Sequence, residues 1–436
     1  MTVAFTADTC FPSPAQPAAP GSAAAADSRC AIHPELLPVL AASGLAAWRL
    51  AGRSLLPIVQ GGMGVGVSAH RLAGAVAALG GVGTISSVDL RRHHPDLMAR
   101  TQNLPQRVGC DADSKAQIDA ANLEALDREV RAAQAAAGGR GLVAVNVMRA
   151  VSDYAASVRR ALQAGADMVV VGAGLPLDLP DLAADHPKAL LVPILSDARG
   201  VALVVKKWLR KNRVPDAIVI EHPRLAGGHL GAARIADLAD PRFDFERAIP
   251  ESLAFLRDAG LEGRVPLIAA GGIRSCEDIM RVQALGAAAV QLGTPFAVTT
   301  ECDASAGFKQ VLAQARDEDM VEFTSVAGLP ARAVKTPWLE KYLKAEPALQ
   351  AVAHGKPRCT QAFDCLAQCG LRDGLAGWGQ FCIDQQLAAA LRGDAKKGLY
   401  FRGVGALPFG AQIRSVRELV ERLLTRHAAA LQPLPA

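Results

Sequence analysis

No apolar stretch in the 436 residues is long and charge-free enough to span a bilayer, so the chain reads as a protein without a membrane span. The N-terminus carries Asp8 before its first basic residue, Arg29, which argues against a secretory signal. A cytoplasmic location is expected. Charge of one sign is also scarce. A net charge of +5 is small for this length and argues against a general nucleic-acid-binding role. One local basic cluster stands out, Lys206-Lys207-Trp208-Leu209-Arg210-Lys211-Asn212-Arg213, read as a helix face. The nine cysteines lack regular spacing, and no C-x-x-C pair occurs, so they read as thiols or metal ligands, not as disulfides. Residues 1–30, rich in Ala, Pro and Ser, lack a sustained apolar period and are expected to form a flexible leader.

What is present is a large apolar fraction. Half of the residues are hydrophobic, enough for a full core in one barrel of about 250 residues plus an extension. After an expected helix from Pro34 to Ala51, apolar runs alternate with helix-like segments. The runs are Leu55 to Gln60, Val82 to Ser86, Leu142 to Val147, Asp167 to Gly172, Leu190 to Leu195, Asp216 to Glu221, Pro266 to Ala270 and Ala288 to Leu292. Such runs suit parallel strands buried on both faces, and eight of them predict an α/β protein, a closed (β/α)8 TIM barrel over 31–300. Residues 301–436 read as a C-terminal helical extension that contains cysteines. A rival pattern, Gly64-Val-Gly66-Val-Ser-Ala69 with Asp89 downstream, is a weak dinucleotide-binding fingerprint. The later glycines favour the barrel, because Ala270-Gly271-Gly272-Ile273 and Leu292-Gly293-Thr294 close strands seven and eight, where a barrel usually rests a phosphate.

The most informative stretch is Leu225-Ala226-Gly227-Gly228-His229-Leu230-Gly231. It sets one imidazole on glycine-rich backbone just after a strand, where it can reach a bound ligand and transfer a proton. The bland alternative is a water-satisfied loop histidine. In the C-terminal third, Cys359, Cys365, Cys369 and Cys382 fall within 24 residues, while the other five cysteines are scattered. Four thiolates suit a [4Fe–4S] cluster or tetrahedral zinc, and buried free cysteines are the plain alternative.

Pro57 to Met63, Asn146, Ala226 to His229, Ala270 to Ile273 and Gln291 to Thr294, in this order, resemble the FMN-dependent nitronate monooxygenase and enoyl-acyl-carrier-protein reductase superfamily. The resemblance implies FMN, its ring near Gly61, Gly62, Met63 and Asn146 and beside Gly227 and Gly228. It places the phosphate at Gly271, Gly272, Gly293 and Thr294. His229 matches the family's catalytic histidine, and Arg332, in Gly328-Leu-Pro-Ala-Arg332, falls in a similar stretch without an assignable role. With the cysteine set and Gly398 to Gly403, the chain is similar to a narrower branch, the FMN and iron–sulfur acyl-carrier-protein dehydrogenase/isomerases of unsaturated fatty acid synthesis.

That branch implies a double bond introduced into an acyl thioester. His229 would serve as the base, and an acidic acyl carrier protein would dock on 206–213. The alternatives are oxidation of nitroalkanes or nitronates with dioxygen, an NAD(P)H-dependent enoyl reductase, and a non-catalytic flavin and iron–sulfur electron carrier. No sequence feature demonstrates an acyl tunnel.

Overall fold

The computed structural model describes residues 29–104, 112–354, 359 and 364–426. Eight parallel strands close into a barrel: β1 Ile58–Gln60, β2 Val82–Ser86, β3 Leu142–Met148, β4 Met168–Gly172, β5 Leu190–Leu195, β6 Ile218–Glu221, β7 Leu267–Ala270 and β8 Ala289–Leu292. Closure is made by β8 against β1, with Val290 opposite Ile58. All eight apolar runs form strands, because each can bury both faces, one in the barrel and one under the helices. Val59, Val82, Ala144, Val170, Val192, Val219, Ile268 and Ala289 fill the interior. A second, larger core lies between the strands and the surrounding helices.

The first run is split. Pro57 lacks an N–H, so Arg53–Leu55 belongs to a separate three-stranded sheet with Arg29–Cys30 and Trp48–Leu50. The helix expected to reach Ala51 stops at Ser43, where Gly44 takes a left-handed φ of 76°. Beyond it Trp48 and Leu50 are buried and Arg49 between them is exposed, a strand alternation that plugs the barrel floor against the interior cluster. The dinucleotide reading fails because the sheet closes on itself and offers no strand-order reversal. Asp89 instead sits buried between Arg91 and Arg92.

The extension contains helices Pro337–Ala351, Gly370–Asp373, Ile383–Leu391 and Val416–Leu424. It also contains a hairpin absent from the sequence reading, Met320–Thr324 against Pro330–Val334. Its inner strand pairs antiparallel with Gly228–His229, so the extension reaches back over the mouth of the barrel. Helix Val416–Leu424 returns to pack against helices Leu37–Ser43, His70–Ala78 and Cys276–Ala284. Among the described residues no helix is long and apolar enough to cross a membrane.

Candidate active site

One cavity occupies the C-terminal mouth of the barrel. Gly61, Gly62 and Met63 after β1, Asn146 on β3, Gly227, Gly228 and His229 after β6, Gly271 and Gly272 after β7, and Gly293 and Thr294 after β8 all line it. The structure therefore brings every flavin-contact residue expected from the sequence to one space, together with the histidine.

Three glycines show why side chains are excluded there. Gly271 and Gly272 have φ of 104° and 72°, which turn successive backbone amides around the end of β7 and disfavour any L side chain. At Gly227 a β-carbon would stand 2.3 Å from both the Arg402 carbonyl carbon and the Gly403 nitrogen, so the loop of the extension presses directly on the loop that carries the histidine. Gly293 differs, because a β-carbon there would meet only the Met63 sulfur, at 3.8 Å, and would otherwise project into open space. Gly293→Val is therefore expected to keep the thermal midpoint within about 2 °C of the parent, since it strains nothing, while lowering flavin occupancy by filling the cradle. Absorbance at the flavin bands and a melting curve on the same sample check both halves. Thr294 has a second engagement, since its Oγ1 accepts from the Gly403 N–H at 3.0 Å.

His229 is held from two sides. Its backbone sits in the strand pairing with Ala331, and its Nε2 lies 3.0 Å from Ser325 Oγ. Ser325 Oγ also accepts from the Ala327 N–H at 3.2 Å, which fixes the hydroxyl and through it the ring, whichever nitrogen carries the proton. The Phe401 ring lies 5.5 Å away, centroid to centroid. Burial alone lowers the imidazole pKa to about 4, so at neutral pH the ring is uncharged and able to accept a proton. Ser325→Ala removes a neutral hydrogen bond worth about 0.5–1.5 kcal/mol and is expected to lower turnover roughly tenfold with full flavin content. A steady-state rate per bound flavin checks it.

Arg332 acquires a role. Its buried guanidinium donates to the carbonyls of Pro223 and Ala226 and pairs with Glu322, fastening the turn that leads into Gly227. Arg402, also buried, donates to the carbonyls of Leu312, Gly403 and Gly405 and shapes the opposing loop. Sequence reasoning missed Ser325 and Arg402. It also missed Glu221, which inward alternation from Val219 could have revealed.

The cysteine segment borders the same cavity, which Cys365, Leu366, Ile383 and Leu387 help to line. Burial first, then the charge of Asp384 and after it those of Cys382, Cys369 and Cys359, push the Cys365 thiol well above its usual range. Cys369 and Cys382 cap the helices Gly370–Asp373 and Ile383–Leu391. Among the described residues no three His, Cys, Asp or Glu groups are spaced to hold a single metal ion. Leu366 and Phe381, next to two of these cysteines in sequence, are buried.

The basic segment 206–213 requires a correction. Helix Ala198–Leu209 starts beside the mouth and runs back along the barrel for about 18 Å, so the segment lies at the end away from the cavity. Trp208 is buried and donates to the Pro176 carbonyl at 3.0 Å, Lys211 pairs with Asp181, and Arg213 pairs with Asp216. These residues brace the barrel wall, and a carrier docked there would not face the cavity.

Comparison with known proteins agrees with this geometry. The family model for nitronate monooxygenase matches residues 50–426. A probable nitronate monooxygenase of Staphylococcus saprophyticus is 24% identical over 292 residues, which cover 65% of this chain and 77% of the relative. The nitronate monooxygenase of Pseudomonas aeruginosa is 34% identical over 119 residues, 27% of this chain and 31% of its own. In fold, the chain is similar to FabK from Thermotoga maritima, with TM-score 0.55 at 18% identity, covering 90% of this chain and 95% of that one. It is equally similar to the nitroalkane oxidase of Streptomyces ansochromogenes, with TM-score 0.55 at 20% identity, covering 84% and 94%. With its eight-stranded barrel, its glycine-lined mouth and a family match over nearly the whole described chain, this protein belongs to the nitronate monooxygenase family of oxidoreductases.

Proposed function

We propose that the protein is an FMN-dependent dehydrogenase/isomerase of acyl thioesters, carried by an acyl carrier protein, that introduces a double bond into the chain. The carrying observation is the wall that the extension adds to the cavity. Ile383, Leu387 and Ala390 form one stripe of a helix at spacings of four and three, and with Phe308 and Leu399 they give the cavity an apolar side beyond His229. A small nitronate leaves such a wall unused. An alkyl chain would be desolvated against it, at about 0.8 kcal/mol for each methylene buried.

The residues fit FMN. The positive-φ amides of Gly271 and Gly272 and the open space at Gly293 suit a phosphate, and Arg274, just beyond the Gly271-Gly272 turn, lines the same cavity. Bound in this way, the flavin supplies acceptance of hydride or electrons. The chain's own residues do the rest. Neutral His229 takes the proton from the carbon next to the thioester carbonyl, Ser325 holds the ring at its angle, and the Phe401 to Leu407 loop with the extension helices shuts out water. Mass spectrometry of the released cofactor should find FMN; FAD, or protein that takes up no flavin, would overturn the proposal.

The four thiols fit an iron–sulfur cluster in donor chemistry, since they are four within 24 residues and one of them, Cys365, lines the cavity. Anaerobic purification followed by iron and acid-labile sulfide analysis should give about four of each per chain. Zinc, or no metal, would contradict this assignment. An acidic acyl carrier protein remains the proposed partner, without the dock at 206–213.

A second reading has specific support in the family match: oxidation of a nitronate with dioxygen, the proton next to the nitro group being handled by the same His229.

A further inference from the structure

Glu221 ends β6, and alternation along that strand turns it inward. Ala217 and Val219 belong to the barrel interior, so Glu221, two positions on, points into its upper end beneath the cavity that it lines. The other carboxylates of that lining have partners: Asp89 and Asp384 share Arg92, Asp119 pairs with Lys115, and Asp153 accepts from Ser157. Glu221 has neither a hydrogen-bond partner nor an ion-pair partner among the described residues.

Its surroundings are neutral. From the end of β5 the Ser196 hydroxyl approaches, from β7 Ala270 lies alongside in register, and after His229 the backbone of Gly231 comes close. A β-carbon at position 231 would stand 1.9 Å from Ser196 Oγ and 3.7 Å from Glu221 Oε2. A glycine two residues beyond the histidine thus leaves room for a carboxyl and a hydroxyl against the same loop. Burial alone pushes the carboxyl up to about 7, so between about pH 4 and 7 it keeps a proton while the imidazole of His229 is bare.

We propose that Glu221 is a second proton-transfer residue of this site, the donor that complements His229 as acceptor in moving a double bond, an inference that rests on the acyl-thioester reading. His229 takes a proton from one carbon of the chain, and the electron pair of that C–H bond becomes the new double bond. The electron pair of the old double bond takes the proton of the Glu221 carboxyl. One proton leaves the substrate and one enters, so the step consumes no oxidant and no reductant. Imidazolium and carboxylate then return to their starting forms by proton exchange with solvent.

The test uses the FMN-loaded protein, anaerobically in heavy water, with a medium-chain β,γ-enoyl thioester and no electron acceptor, followed by NMR. The wild type should shift the double bond, at a rate that falls as pH rises through about 7, because the acid form of Glu221 is the donor. Glu221→Gln should slow the shift by about two to four orders of magnitude. Exchange of the proton next to the carbonyl, which needs only His229, should stay within about threefold of wild type, and the fall near neutral pH should vanish. A variant that shifts the double bond within about threefold of wild type overturns the proposal. A wild type that neither exchanges nor shifts would count against the acyl-thioester reading instead. Infrared difference spectra, wild type minus Glu221→Gln, then decide separately. A protonated carboxyl that titrates near neutral pH and shifts when propyl nitronate is added keeps Glu221 as a proton group facing the ligand. A carboxyl ionised throughout, or indifferent to the nitronate, removes it.

Discussion

His229→Ala should retain the fold and the full flavin content while turnover falls by about two to four orders of magnitude, the usual contribution of a positioned base. The size follows from the site. The other histidine of that loop, His222, is turned to Asp244, while His229 lines the cavity with its ring held in place by Ser325 and by the strand pairing with the hairpin. The wild-type rate should also lose its base limb as pH falls through about 4, because burial lowers the imidazole to that value and protonation removes the acceptor. Turnover per bound flavin, measured from pH 3.5 to 8, reads both effects. A variant within about threefold of wild type would remove the histidine from the chemistry. Loss of flavin along with activity would make it a structural residue.

Arg332→Leu should be the most destabilising single change near the site, by about 2–4 kcal/mol. Two terms make up that figure. The carbonyls of Pro223 and Ala226 lose the donor that pairs them in a buried turn, and the leucine cannot fill the planar guanidinium space. The Glu322 partner adds little, because its side chain is 35% exposed and water screens the charge left behind. Urea unfolding measures the loss, and a change under about 0.5 kcal/mol would show that the clamp is not structural. Activity should fall with it, since the fastened turn runs straight into Gly227 and His229.

The barrel was legible because its strands bury two faces, which leaves continuous apolar runs such as Met168–Gly172 and Leu190–Leu195. Strand ends were less so, and the helix read through to Ala51 ignored the break that Gly44 imposes. The hairpin escaped because Met320–Thr324 is only partly buried, and its partner begins with a proline and carries a buried arginine. Its third strand is two residues long and lies about a hundred positions upstream. The same distance hid the site's supporting residues. Ser325 contacts His229 across 96 residues of sequence, and Arg332 meets Ala226 across 106. Glycine loops announce themselves locally, whereas a hydrogen bond between remote loops leaves no local pattern. The basic segment misled for a related reason: its charges were visible, but the direction in which its helix runs along the barrel was not.

The central claim is that the cavity takes an acyl thioester, its chain lying against Ile383, Leu387 and Ala390. The most direct measurement compares kcat/KM of the same FMN-loaded, anaerobically purified protein on a medium-chain acyl-carrier-protein thioester and on propyl nitronate. The account predicts that the thioester is oxidised faster, and that Leu387→Asp lowers its kcat/KM by at least tenfold, with nitronate turnover almost unchanged, by placing a charge on the apolar wall. Faster oxidation of the nitronate, with no effect of the Leu387 substitution on either substrate, would contradict it.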